Sequence, residues 1–167
     1  LGTLCFEYEN KLLLEKPGTL YPGVAETLQA LSKNYDLYIV SNCQCGYIEI
    51  LLETCHLKPY VKDTLCYGQT QTSKGKTIRT LMERNHMDTA VYVGDTKGDA
   101  DACKEADIPY LSSHKIRFSN ASILFDNGTP IKAIKRLLGH SNLAMTEHYI
   151  EQPVSNYAEN SLAEVLM

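Results

Sequence analysis

The chain has no apolar run long enough to cross a bilayer and no secretory leader pattern, so no membrane partner is expected. Its six cysteines (Cys5, Cys43, Cys45, Cys55, Cys66 and Cys103) include no C-x-x-C pair. The one close pair, Cys43-x-Cys45, has a spacing that suits neither a zinc knuckle nor a redox dithiol. A reducing, cytoplasmic setting is therefore the expectation. No aspartate occurs before Asp36. The first residue is Leu1 with no start-like segment around it, which predicts a missing upstream part. A strong net charge is also absent: the formal value of −4 excludes an overall nucleic-acid signature.

What is present is uneven. The 167 residues suit one domain, or one with a small appendage, at an ordinary 44% apolar and 22% charged content. Residues 1–110 carry fifteen acidic and eleven basic side chains; residues 111–140 carry five basic and one acidic. Residues 141–167 carry four acidic side chains and no Lys or Arg. A local basic block can touch phosphates even in an acidic chain.

Residues 1–20 are weakly patterned. "VAETLQALSKN" (24–34) places Val24, Leu28 and Leu31 on one helical face. "YDLYIVSN" (35–42) and "TAVYVGD" (89–95) read as buried strands that end in loops, with shorter strands in 61–69 and 108–111. Helical patterns over 46–57, 74–85 and 97–107 alternate with these strands. Such alternation predicts a parallel sheet covered by helices. From Ser112 onward all segments read as helix. In "TPIKAIKRLLGH" (129–140), Thr129 is the expected N-cap, Pro130 lies in the first turn and Gly139 is the stop. A last amphipathic helix is predicted over 154–167. The apolar face of the tail is Ile123, Leu124, Ile131, Ile134, Leu137 and Leu138, and its exposure makes self-association an expectation.

Three features lie at the carboxyl ends of predicted strands, where open α/β sheets bind ligands. Ser41 and Asn42 end one strand, Lys74 opens a helix, and Asp95 and Asp99 occupy the loop "GDTKGD". A hydroxyl and an amide can hold phosphate oxygens, a lysine offsets their charge, and paired carboxylates suit Mg²⁺. This ordered set, over about residues 21–111, resembles the haloacid dehalogenase-like (HAD) hydrolases. The resemblance implies a three-layer, Rossmann-like parallel sheet core that is incomplete at its N-terminus. It also implies a phosphatase acting on a small phosphorylated substrate with Mg²⁺. Ser41 and Asn42 then bind phosphate, Lys74 (with Lys76 as a rival) steadies the phosphoryl group, and Asp95 and Asp99 hold the metal. The family's nucleophile is the first Asp of a DxDx[TV] motif on a central strand. Glu7 and Glu9 have its spacing but no matching strand. Residues 1–20 then resemble the remnant of a helical cap.

The tail raises a different chemistry. His114, Arg117, His140 and Tyr149 follow one another in "HKIR" and "LLGHSNLAMTEHY". Singly, His140 reads as a helix cap and Tyr149 as a packing residue. Together, over about 112–152, they resemble the C-terminal part of the tyrosine recombinases (phage integrases). That implies Tyr149 as a nucleophile forming a phosphotyrosyl bond with DNA. Arg117 then grips the non-bridging oxygens, and His114 and His140 donate to the phosphate or move the tyrosine proton. Lys115, Lys132, Lys135 and Arg136 track the DNA backbone. A further arginine and a hairpin lysine of that family have no counterpart here, and Phe118 stands where its pattern has histidine. The expected organisation is a cap remnant over 1–20, a HAD-like core over 21–111 and a small all-helical appendage over 112–167. The alternatives are a truncated phosphatase with a recombinase tail, a working DNA-integrating recombinase fragment, or a chimeric join of two genes that is inactive in both reactions.

Overall fold

The computed structural model describes residues 2–151 and divides into two compact units, Leu1–Asp88 and Thr89–Met167. The helix expected over 154–167 lies outside the described residues. Among the described residues the architecture is helix-rich α/β with two short parallel strand pairs.

The first unit begins with α1 (Gly2–Glu15) and α2 (Val24–Leu31), then β1 (Tyr38–Ser41), α3 (Tyr47–Thr54) and a 3-10 turn at Lys58–Tyr60. β2 (Asp63–Cys66), α4 (Tyr67–Thr70) and α5 (Lys74–Arg84) complete it. β1 and β2 run parallel in the register Tyr38↔Asp63 to Ser41↔Cys66. Ile48, Leu52, Leu57 and Cys66 form the buried core, with Ala25, Leu28 and Ile39 packed against it. Ile78 and Leu81 of α5 are also buried. The weak pattern of residues 1–20 turns out to be mostly helix, but Leu4, Tyr8 and Leu14 are exposed on it. The expected apolar face of α2 is narrower than predicted: Leu31 ends the helix and is exposed, whereas Ala25 and Leu28 pack on the core.

The second unit runs β3 (Tyr92–Gly94), α6 (Lys97–Ala106), β4 (Tyr110–Ser112), α7 (Ser113–Asp126), α8 (Ile131–Leu138) and α9 (Leu143–Glu151). β3 and β4 are parallel, with Tyr92↔Tyr110, Val93↔Leu111 and Gly94↔Ser112. Ser112 ends β4 and caps α7 in the same step, its Oγ accepting from the His114 amide at 3.2 Å. The buried strand expected over 89–95 is shorter and partly open. Among the described residues β3 pairs only with β4, which leaves Val91 and Val93 exposed. The expected N-cap of α8 also shifts by one: Pro130 occupies the cap position and no side chain caps the helix. Proline suits that place because its missing N–H costs nothing at a helix start. Gly139 closes α8 with a φ of +68°, as the sequence predicts. Of the tail's apolar face, Ile134 and Leu138 are buried and Leu124 packs on them, whereas Ile123 and Leu137 remain exposed. A spacing of four residues puts Ile134 and Leu138 on one side of α8.

The end of α5 is fastened to the start of β2 through Asp63. Its Oδ2 accepts from Arg84 Nε at 2.8 Å and Asn85 Nδ2 at 2.7 Å, and its Oδ1 accepts from the Thr64 amide at 2.8 Å. Arg84 Nη2 also donates to the Thr64 carbonyl at 2.9 Å. Burial acts to raise the Asp63 pKa, but the Asn85 and Thr64 hydrogen bonds and the Arg84 charge outweigh it, so the carboxyl lies below its ordinary value. A depressed folded pKa means the contribution is complete above the unfolded value of about 4 and is lost as pH falls through the folded value. Asp63→Asn should therefore lower stability by about 1 kcal/mol at neutral pH. Urea melts of the two proteins should converge as pH falls through the folded pKa of Asp63; a gap that persists undiminished in acid would refute the assignment.

Candidate functional sites

The first candidate site lies at the carboxyl end of β1. Asn42, Tyr67, Thr72, Ser73 and Lys74 line an open depression of about 390 Å³. Ser73 caps α5, its Oγ accepting from the Lys76 amide at 3.4 Å, so that Lys74 becomes the first helical residue. The buried Thr77 braces this edge: its Oγ1 donates to the Ser73 carbonyl at 3.0 Å and lies 2.8 Å from Thr70 Oγ1. The loop after β1 is held down by Gly68, whose amide donates to the Cys43 carbonyl at 3.0 Å. A Cβ on Gly68 would stand 2.4 Å from Cys45 N, so only glycine permits this approach. A lysine, an amide, hydroxyls and a helix N-terminus together make a setting for an oxyanion. Lys74 lines this depression and Lys76 does not. Ser41, the last residue of β1, is half-buried and lies outside the lining.

In the second unit the acidic loop is turned inward. Asp99 is 5% exposed. Its Oδ2 accepts from Thr96 Oγ1 at 2.8 Å, the Thr96 amide at 3.1 Å and the Asp95 amide at 3.3 Å. Tyr92 donates to Oδ1 at 3.5 Å. Thr96 returns the contact by accepting from the Asp99 amide at 3.1 Å, which completes a capping box at the start of α6. Gly94 makes room for this, since a Cβ there would meet Asp99 Cβ at 2.7 Å. Asp95 is exposed. Among the described residues no group of three or more His, Cys, Asp or Glu is arranged to hold a metal ion. A magnesium ion demands near-octahedral oxygen ligation, and a pair with one carboxylate committed as a helix cap does not fit it.

The third cluster is built by α7, α8 and α9. Tyr149 is buried and its ring lies flat on Phe118, centroids 3.7 Å apart and planes 4° from parallel. Its hydroxyl lies 3.0 Å from His114 Nδ1. His140 packs edge-on at 4.8 Å, and its Nδ1 lies 3.0 Å from the hydroxyl of the fully buried Thr146. Burial, then the Arg117 and Lys135 charges, lower the His140 pKa, which favours the neutral imidazole near pH 7. Arg117 is exposed, and its Nη2 donates to the Leu138 carbonyl at 2.6 Å, capping the end of α8. A guanidinium has five N–H donors, so one bond to a carbonyl leaves capacity for an anion. Ser122 Oγ donates to the Tyr149 carbonyl at 3.3 Å and holds α9 against α7. Lys115, Lys132 and Arg136 are exposed and Lys135 is half-buried.

Residues 3–112 match the family described as haloacid dehalogenase-like hydrolase. The chain belongs to the haloacid dehalogenase-like hydrolases. The match extends ahead of the motifs to take in α1 and the turn after it. A phosphoserine phosphatase of Bos taurus is 29% identical over 118 residues, covering 60% of this chain and 52% of that protein. A tyrosine recombinase XerC-like protein of Caldanaerobacter subterraneus is 35% identical over 57 residues, covering 34% of this chain and 15% of that protein. Tyrosine recombinase XerA of Thermococcus kodakarensis is 44% identical over 46 residues, covering 28% and 16%. The chain thus spans about half of the phosphatase and under a fifth of these recombinases. No solved structure matches.

For this HAD-like chain, sequence reasoning missed Tyr67, Thr72 and Ser73 in the depression, and Thr146 and Ser122 around the tyrosine. Ser73 carries a legible signal, a Ser just before a helix. Thr146 and Ser122 carry none, because their roles come from helix packing. The Phe118–Tyr149 stack, rather than the tyrosine hydroxyl, should hold α9 in place. Tyr149→Phe should cost no more than about 1 kcal/mol, and Phe118→Ala about 2–3 kcal/mol, in thermal unfolding. The reverse order would show that the hydroxyl bond carries the packing.

Proposed function

We propose that the chain joins a phosphoric-ester hydrolase domain to the catalytic end of a DNA strand-transfer enzyme, and completes neither reaction alone. The proposed limits are a cap remnant over 1–20, a core over 21–111 with the three-layer, Rossmann-like sheet of its family, and a recombinase-like segment over 112–167. The reading includes a chimeric join near residue 111, a cytoplasmic setting and self-association. The observation that carries it concerns carboxylates. No aspartate precedes Asp36 in the chain, and Asp99 is engaged by three donors at the start of α6.

In the hydrolase part, Lys74 and Asn42 hold the phosphoryl group of a small ester at the depression, and Ser41 adds a hydroxyl at the strand end. The aspartate that would attack phosphorus must come from outside these residues. Asp95 and Asp99, the pair that the family resemblance assigns to magnesium, do not fit that ion, because Asp99 is committed as a helix cap. The second reading, that of a strand-transfer module, is favoured by the 3.0 Å contact between Tyr149 and His114. In it the tyrosine oxygen bonds to a DNA phosphorus as the 5′ oxygen leaves with a proton. Arg117 grips the non-bridging oxygens, neutral His140 or His114 relays the proton, and Lys115, Lys132, Lys135 and Arg136 lie along the backbone.

Two assays test the proposal. Release of phosphate from a small aryl phosphate with Mg²⁺ should stay at background, unchanged by Asp95→Asn. A covalent adduct with nicked duplex DNA should be absent, with at most weak binding that falls steeply with salt. Turnover lost in Asp95→Asn would establish a working hydrolase, and an adduct lost in Tyr149→Phe a working strand-transfer enzyme; either would overturn the claim of inactivity.

A further inference from the structure

Neither candidate chemistry uses the cysteines, all six of which are free thiols, and three of them lie on two neighbouring segments. β2 ends at Cys66, in register with Ser41 at the end of β1. The loop after β1 carries Cys43 and Cys45. Gly68 clamps that loop against the end of β2, through its amide bond to Cys43 O at 3.0 Å and its approach to Cys45 N. Cys66 is fully buried, and its Sγ donates to the Gln44 carbonyl at 3.6 Å. That carbonyl belongs to the peptide bond joining Gln44 to Cys45, so the Cys66 thiol lies against the backbone of the loop that carries Cys43 and Cys45. Cys43 is half-buried among the apolar residues around Cys66, whereas Cys45 is exposed. Among the described residues no trio is arranged to hold a metal, so the chemistry open to these thiols is exchange rather than coordination.

We infer that Cys45 and Cys66 form a reversible thiol–disulfide pair, closed by exchange with a low-molecular-weight disulfide such as glutathione disulfide. The Cys45 thiolate attacks one sulfur of the reagent, forming a mixed disulfide and expelling one glutathione thiolate. Cys66, after losing its proton to water, attacks Cys45 Sγ and expels the second glutathione. Each expelled thiolate takes up one proton. Two protein thiols are thereby oxidised to one disulfide while one glutathione disulfide is reduced to two glutathiones, with no other oxidant. Exposure selects Cys45 as the first thiol, because a tripeptide disulfide cannot reach a fully buried sulfur. Proximity selects Cys66 as the second: its thiol lies against the Gln44–Cys45 peptide bond, and a thiol held beside its target reacts at high effective concentration. Burial also pushes the Cys66 thiol above its ordinary pKa. The bond would tie together the two segments flanking the depression, since Asn42 adjoins the cysteine loop and Tyr67 follows Cys66.

The test is to treat the full chain with glutathione disulfide, block remaining thiols by alkylation, and map the digest by mass spectrometry. The expected product links the peptides of Cys45 and Cys66, has lost two hydrogens, and reopens with dithiothreitol. It should persist in Cys43→Ser and vanish in Cys45→Ser, where the substituted position is exposed and folding is undisturbed. In Cys66→Ala, Cys45 should accumulate as the glutathione adduct. A wild-type protein that stops at that adduct, a bond between Cys43 and Cys66, or thiols that stay reduced while Cys5 or Cys55 is modified would each overturn the inference.

Discussion

Parallel strand pairing is the constraint on which both units depend. Two strands running the same way cannot be joined by a tight turn, so α3 lies between β1 and β2, and α6 between β3 and β4. Parallel register also brings the carboxyl ends of both strands in a pair to the same edge. In the first unit this sets Ser41 against Cys66, and with them the loop of Asn42 and the start of α4. In the second it sets Gly94 against Ser112. The acidic loop that follows β3 and the helix carrying His114 and Arg117 thus leave one strand pair at the same edge.

Glycine settles how closely these edges can be filled. Gly68 lets the loop after β1 lie on the strand end, and Gly94 lets the Asp99 side chain turn under its own helix. The second approach has a chemical consequence. A carboxylate that accepts three hydrogen bonds at a helix start is well stabilised where it is, and is a poor candidate for a labile cation. Of the two carboxylates that read as a metal loop in the sequence, Asp99 acts in the fold as one half of a capping box with Thr96.

The tail shows how spacing becomes contact. His114 and Arg117 sit one turn apart on α7, His140 follows the glycine stop of α8, and Tyr149 lies on α9. Three packed helices bring the imidazoles and the phenol within a few ångströms. Phe118, which departs from the recombinase pattern, is the ring on which the tyrosine rests. Its flat face supplies packing where a histidine would supply a hydrogen bond.

Much was legible in the sequence. Alternating helix and strand patterns, Lys74 at a helix start, the Gly139 stop and the spacing of His114, Arg117, His140 and Tyr149 all follow from local periodicity and from residue types with one strong conformational or chemical use. Local pattern does not report which groups from distant segments meet. The cysteine spacing looked inert because the thiol that lies against the loop of Cys43 and Cys45, that of Cys66, comes from another strand. The exposure of Val93, the capping duty of Asp99, the donation of Arg117 to Leu138 and the burial of Thr146 depend likewise on how many neighbours each element acquires. Chain order and residue chemistry determined what this protein can attempt. Only the tertiary structure, through close backbone approach and shared burial, decided which of those groups stand together and which are already occupied.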